Sequence, residues 1–189
     1  FPAYARQMCQ TRRNPKFLPG VNIPNNIELT ADLKTALRDV SFIVMAVPTQ
    51  HCRGVLAELK PLYDPCLPIV SVAKGIEQKT LLRPSQIIKE ILGARHIAVL
   101  SGPSHAEEVA RKLPASVVVA SPDIKLARQL QKIFSNDHFR VYVQRDMPGV
   151  EIAAAVKNII AIAAGICDGL GLGDNTKSAL LVRGMVEIS

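Results

Sequence analysis

Tryptophan is absent from this 189-residue chain and aromatic residues make up only 4% of it, so it has little of the stacking surface expected of a single-stranded nucleic-acid binder. Basic residues outnumber acidic ones, 23 to 16, for a formal net charge of +7. They form no long block, and Arg12-Arg13 and Arg111-Lys112 are short groups. Scattered cations without interleaved aromatics suit anionic small molecules better than a nucleic-acid face. Cys9, Cys52, Cys66 and Cys167 lie far apart, with no CxxC pair and no histidine at ligand spacing. This indicates neither a zinc site nor a disulfide framework, and reduced thiols in a cytoplasm are the simplest reading. Long apolar runs are missing too. The best, Ile152 to Ile166, is too short for a membrane span and is interrupted by Lys157 and Asn158, so no span is expected. An initiator Met and a signal-peptide pattern are also lacking. The chain opens at Phe1 in helix-like sequence and stops at Ser189 in another such segment, so the natural protein is expected to be longer.

What is present is globular: hydrophobic residues make up 48% of the chain, enough for one core or for one domain and part of another. After the loop Asn14–Asn26, short apolar runs alternate with amphipathic helical segments, the pattern of a parallel sheet flanked by helices. Strands are expected at Ile27–Thr30, Phe42–Val47, Pro68–Ala73, His96–Ser101, Ser116–Ala120 and Phe139–Val143. Helices are expected near Ala31–Arg38, Gln50–Lys60, Pro84–Leu92, Ser104–Arg111 and Ile124–Phe134. The runs Phe42–Val47 and Pro68–Val72 are almost continuously apolar, as strands covered on both faces should be. The fold class is therefore α/β, an incomplete doubly wound parallel sheet over residues 1–147. From Pro148 the composition turns to long Ala/Ile-rich helical sequence, read as the start of an all-helical domain over 148–189.

In an open α/β sheet, chemistry is sought just beyond the carboxyl ends of the strands. Ala46 to His51 turns from a buried strand into a helix and can lay the His51 ring beside a flat cofactor, although an ordinary strand-to-helix turn fits equally. Lys74 follows the next strand, with Gly75 allowing a sharp exit, and can reach a phosphate or substrate oxygen as a point charge. In LSGPSHAEEVA, Ser104 and Glu107 have capping-box spacing, and Gly102-Pro103 ahead of them can bring backbone close to a ligand. Lys157 stands in an apolar helix. Burial would shift such an amine toward proton-transfer chemistry, while a snorkelling lysine at the stripe's edge fits the same pattern. Gly169, Gly171 and Gly173 follow a helix and lack GxGxxG spacing, so a helix–helix connection explains them better than a phosphate loop.

Taken in order, NPKFLPG, VPTQ, SVAKGIE, SGPSHAEEVA and the run from Gly149 to Gly184 resemble bacterial-type NAD(P)-dependent glycerol-3-phosphate dehydrogenases. The resemblance implies a Rossmann-like sheet, NAD or NADP as cofactor, and interconversion of sn-glycerol 3-phosphate with dihydroxyacetone phosphate, feeding glycerophospholipid synthesis. It implies that Lys157 accepts the C2 hydroxyl proton, that Asn158, Gly102 and Ser104 hold substrate, and that Lys74 touches substrate and cofactor. Ala106 and His51 fall at cofactor-contacting positions. A homodimer is the candidate assembly of the complete enzyme. The family's GxGxxG unit and its substrate-phosphate grip are not in these residues, so this stretch alone is expected to be poorly active or inactive. Two other readings are open: a 6-phosphogluconate dehydrogenase-like enzyme, which the DGLGLGDNTK run argues against, and a non-catalytic module binding nucleotide or a partner.

Overall fold

The computed structural model describes residues 2–188, so Phe1 and Ser189 lie outside the described residues. The chain begins with helix α1 (Pro2–Thr11) and a two-stranded antiparallel hairpin, β1 (Arg13–Asn14) and β2 (Leu18–Asn22), where the sequence suggested only a loop. A short helix α2 (Leu33–Ala36) leads into the main sheet, β3 (Ile43–Met45), β4 (Ile69–Ser71), β5 (Ile97–Ser101), β6 (Ala115–Ala120) and β7 (Phe139–Gln144). Between these strands run α3 (Thr49–Leu59), α4 (Pro84–Leu92), α5 (Ala106–Ala110) and α6 (Ile124–Phe134). Two long helices, α7 (Met147–Gly169) and α8 (Gly173–Ile188), complete the described chain.

The five strands lie in sequence order across the sheet. Their side chains alternate between two cores, as a period of two requires. Ile69 and Ile97 face Leu56, Ile87 and Ile88 of α3 and α4. Their neighbours Val70 and Ala98 face Leu126, Ala127 and Leu130 of α6 on the other side. Burying Leu56, Ile87 and Ile88 to 0–1% exposure stabilises the fold by roughly 1.5–3 kcal/mol per side chain.

Three features differ from the sequence expectations. Ile27–Thr30 forms no strand: the Arg12 guanidinium donates to the Ile27 carbonyl at 2.9 Å, and the Cys9 thiol to the Leu29 carbonyl at 3.0 Å. Side chains therefore occupy carbonyls that a sheet would have used. Pairing is parallel for β3–β4, β4–β5 and β6–β7, but β5 and β6 are antiparallel. The segment between β5 and β6 holds only the five-residue α5, so the chain returns beside β5 without a full crossover. Finally, α7 extends the apolar run on both sides to 23 residues, long and apolar enough to cross a membrane by length and composition alone. In this structure it packs against β5, β6 and α8. Gly184 permits a close approach of α8, since a Cβ there would lie 2.7 Å from the end of Ile160. Gly171 and Gly173 take φ of +67° and +74° in the α7–α8 connection, the helix–helix role expected of them.

Candidate active site

Two neighbouring segments follow the sheet into the site. The chain leaving β4 places Lys74 at the strand's carboxyl end, and Gly75, at φ +109°, turns it away. Thr49, buried in the first turn of α3, donates its hydroxyl to the Lys74 carbonyl at 2.8 Å. Gln50 accepts from the Gln78 amide and donates to the Ile76 carbonyl. Further along, the Arg53 guanidinium holds Glu77 from Nε and Nη2, and the Thr80 hydroxyl donates to the same carboxylate. The hydrogen bonds from Arg53 and Thr80 push the Glu77 carboxyl down to about 2. The SVAKGIE segment is thus laced to α3, which fixes where Lys74 starts.

The second segment follows β5. Gly102 sits so near β6 that a Cβ would lie 2.8 Å from Val117 Cα and 2.9 Å from the Ser116 carbonyl oxygen. Gly102 therefore needs to be glycine for its approach to the neighbouring strand, and with Pro103 it also lines the cavity described below. The Gly102 carbonyl accepts from the Lys74 ammonium at 2.9 Å and from the Ser104 hydroxyl at 3.3 Å. Ser104 is consequently not the cap of α5. That helix begins after His105, which makes no side-chain capping bond, and Glu107 stands one position too early for a capping box.

The third wall is α7. Val150, Ala153, Ala154 and Lys157 recur at helical spacing on one face, and all four line a cavity of about 510 Å³ together with Lys74, Ser101 to His105, Val118 and Asn158. Ala153 and Ala154 leave the space open. Among the described lining residues are two lysines and a histidine but no carboxylate, a donor set suited to an anion. Burial, assisted by the nearby Lys157 charge, holds the Lys74 amine below the ordinary lysine range.

The structure brings Lys74, Gly102, Ser104, Lys157 and Asn158 around one cavity. Lys157 is exposed there, so the burial argument for its chemistry does not hold in this structure, but it lines the same cavity as Lys74. His51 and Ala106 are exposed in the first turns of α3 and α5 and do not line the cavity. His105, Thr49, Val150 and Ala154 were missed from sequence. The 150-153-154-157 spacing was a readable signal; the contact of Thr49 with the Lys74 carbonyl, 25 residues away, was not.

A cavity at the carboxyl ends of β4 and β5, closed by a helix beyond the sheet, is the ligand crevice of an α/β nucleotide-binding architecture. Residues 2–127 match the family model described as NAD-dependent glycerol-3-phosphate dehydrogenase N-terminus, and residues 146–189 match the model of its C-terminus. The chain belongs to the NAD-dependent glycerol-3-phosphate dehydrogenase family. It is 46% identical over 189 residues to glycerol-3-phosphate dehydrogenase (NAD(P)+) of Carboxydothermus hydrogenoformans, covering 99% of this chain and 56% of the relative. With the Clostridium tetani protein of the same description it shares 49% identity, covering 99% and 54%. The crystal structure of the Coxiella burnetii glycerol-3-phosphate dehydrogenase superposes with a TM-score of 0.88 at 37% identity, over 99% of this chain and 57% of that one. The chain thus spans about half the length of the relatives it matches. Membership in this family decides against the 6-phosphogluconate dehydrogenase-like alternative.

Proposed function

We propose that these residues form the catalytic-lysine half of an enzyme that interconverts sn-glycerol 3-phosphate and dihydroxyacetone phosphate with NAD or NADP. The observation that carries this reading is the convergence of Lys74 and Lys157 on one cavity whose described lining contains no carboxylate. The cavity's chemistry fits both ligands: cations for a phosphorylated triol, and the apolar faces of Val118, Ala153 and Ala154 for a nicotinamide ring. NAD or NADP, when bound, supplies the hydride acceptor for the substrate C2. Lys157 Nζ takes the C2 hydroxyl proton as the carbonyl forms, and returns it in the reducing direction. Lys74, anchored through its own carbonyl by Thr49 and through its ammonium by Gly102, offsets negative charge developing on the C2 oxygen. Asn158, beside Lys157, offers an amide to a substrate hydroxyl. Gly102 and Ser104 shape the opposite rim.

His51 and Ala106 are assigned to the cofactor side of the same edge, where the first turns of α3 and α5 begin. The four unbridged cysteines suit a reducing cytoplasm. No GxGxxG occurs within the 189 residues, and they match only about half of each relative; we assign turnover to the complete enzyme and little or none to this stretch alone. The test is direct: the protein translated from the complete reading frame is supplied with NAD or NADP and with glycerol 3-phosphate or 6-phosphogluconate. Reduced nicotinamide should form with the first substrate only. Formation with 6-phosphogluconate instead, or with neither, would contradict the reading.

A further inference from the structure

The one buried residue of α7 among those described is an acid, Glu151, 5% exposed in a helix otherwise rich in alanine and isoleucine. We propose that Glu151 is a positioning residue for the reaction, clamping the start of α7 onto the start of α4 and thereby setting Lys157 across the cavity from Lys74. This rests on the reading of Lys157 as the proton acceptor. The Ser85 amide donates to Glu151 Oε1 at 2.8 Å, the Ser85 hydroxyl donates to Oε2 at 2.6 Å, and the Arg83 guanidinium pairs with Oε2. Ser85 follows Pro84 in the first turn of α4, so its N–H is one of the donors that a helix start leaves unpaired, and a carboxylate there also complements the helix dipole. Ser85 is itself 3% exposed.

A buried ion pair stabilises a fold no better than apolar packing of the same shape; its best-attested use is to hold one geometry among several. Here the geometry is that of a helix whose sheet-facing side carries small residues, Ala153 and Ala154, around an open cavity. Such a face resists sliding and tilting weakly, since it has few interlocking atoms. Glu151 lies six residues before Lys157, about 9 Å along the helix axis. Tilting α7 by about 10° about the clamp moves the Lys157 backbone by roughly 1.5 Å, and a displacement of about 1 Å can cost about 100-fold in rate.

The test uses the complete enzyme and C2-deuterated glycerol 3-phosphate. Glu151→Gln keeps the side-chain length and an acceptor for the Ser85 amide but loses the pair with Arg83, and kcat should fall by about 10–100-fold. The deuterium isotope effect on kcat should rise, because a misplaced proton acceptor slows the chemical step itself. A merely structural role would reduce the folded fraction and leave the isotope effect of the folded molecules unchanged. Where Glu151→Gln fails to fold, Ser85→Ala decides: it removes one hydrogen bond while keeping the charge pair, and should lower kcat by about 3–10-fold with the same rise in isotope effect. Unchanged kcat and isotope effect in the folded variant would overturn the proposal. Lys157→Ala, measured alongside, separates the two readings: if it retains full turnover the proton-acceptor assignment fails, and if it abolishes turnover while the Glu151 and Ser85 variants behave as wild type, only the clamp fails.

Discussion

Replacing Gly102 by alanine tests the link between the sheet and the site. The added Cβ would sit 2.8 Å from Val117 Cα and 2.9 Å from the Ser116 carbonyl oxygen. Both are backbone atoms of β6, so no side-chain rotation relieves the clash. Either the end of β5 separates from β6, where Ser101 pairs with Val118, or the Gly102 peptide turns. Overpacking of this kind costs about 1–3 kcal/mol. The backbone conformation, φ +153°, adds about 1–3 kcal/mol for a residue with a side chain. Because one shift relieves part of both, the expected loss is about 2–4 kcal/mol, and for a chain of this size the melting temperature falls by roughly 5–15 °C. Thermal and urea unfolding followed by far-ultraviolet circular dichroism measure it. The control is Gly54→Ala, at an exposed position within α3 where an added Cβ meets nothing within 4 Å; it should stabilise by about 0.5–1 kcal/mol. A Gly102→Ala loss below about 1 kcal/mol, or parity with the control, would refute the reasoning.

The remaining predictions concern charge. Glu77, held down to about 2 by the hydrogen bonds from Arg53 and Thr80, contributes stability that is complete above the unfolded carboxyl range and is lost as pH falls from about 4.5 through about 2. The stability difference between wild type and Glu77→Gln, from urea unfolding, should therefore be largest near neutral pH and shrink toward pH 2; a difference that grows on acidification would contradict it. Lys74 should titrate below the ordinary lysine range in NMR of methyl-labelled lysines. Lys157→Met should move it only part of the way back, because burial is the larger cause; full recovery would reverse that order, and a further fall would contradict the contribution of the Lys157 charge. In the complete enzyme, Lys74→Met should raise the Kd for glycerol 3-phosphate by about 10-fold or more, since a charge-assisted contact is lost, and an unchanged Kd would remove Lys74 from the substrate.

The parts of this architecture held by local pattern were legible in the sequence. Strands β3 to β7 and helices α3, α4 and α6 follow from apolar runs and helical spacing, and α4 and α6 lie within the expected bounds, Pro84–Leu92 and Ile124–Phe134. Lys74 and Lys157 could be singled out because one follows a buried strand and the other interrupts an apolar helix. The sequence did not reveal partners far apart along the chain. Arg12 reaches the Ile27 carbonyl, 15 residues on, and removes a strand. Likewise the Glu151 contact with Ser85 spans 66 residues. The sense of β6 was hidden because a helix expected over Ser104–Arg111 reads as a crossover between parallel strands, whereas α5 covers only Ala106–Ala110 and Ser101 pairs with Val118 in the antiparallel sense.

The central claim is that Lys157 moves a proton in the cavity it shares with Lys74. Its most direct test is the turnover of Lys157→Ala in the complete enzyme, measured together with the Kd for NADH and NADPH by fluorescence. Loss of the proton-transfer group alone should lower kcat by about 100-fold or more, with the cofactor Kd within about 3-fold of wild type, since the lost amine is assigned to substrate. Wild-type turnover in that variant, or a kcat loss matched by an equal loss of cofactor binding, would contradict the account.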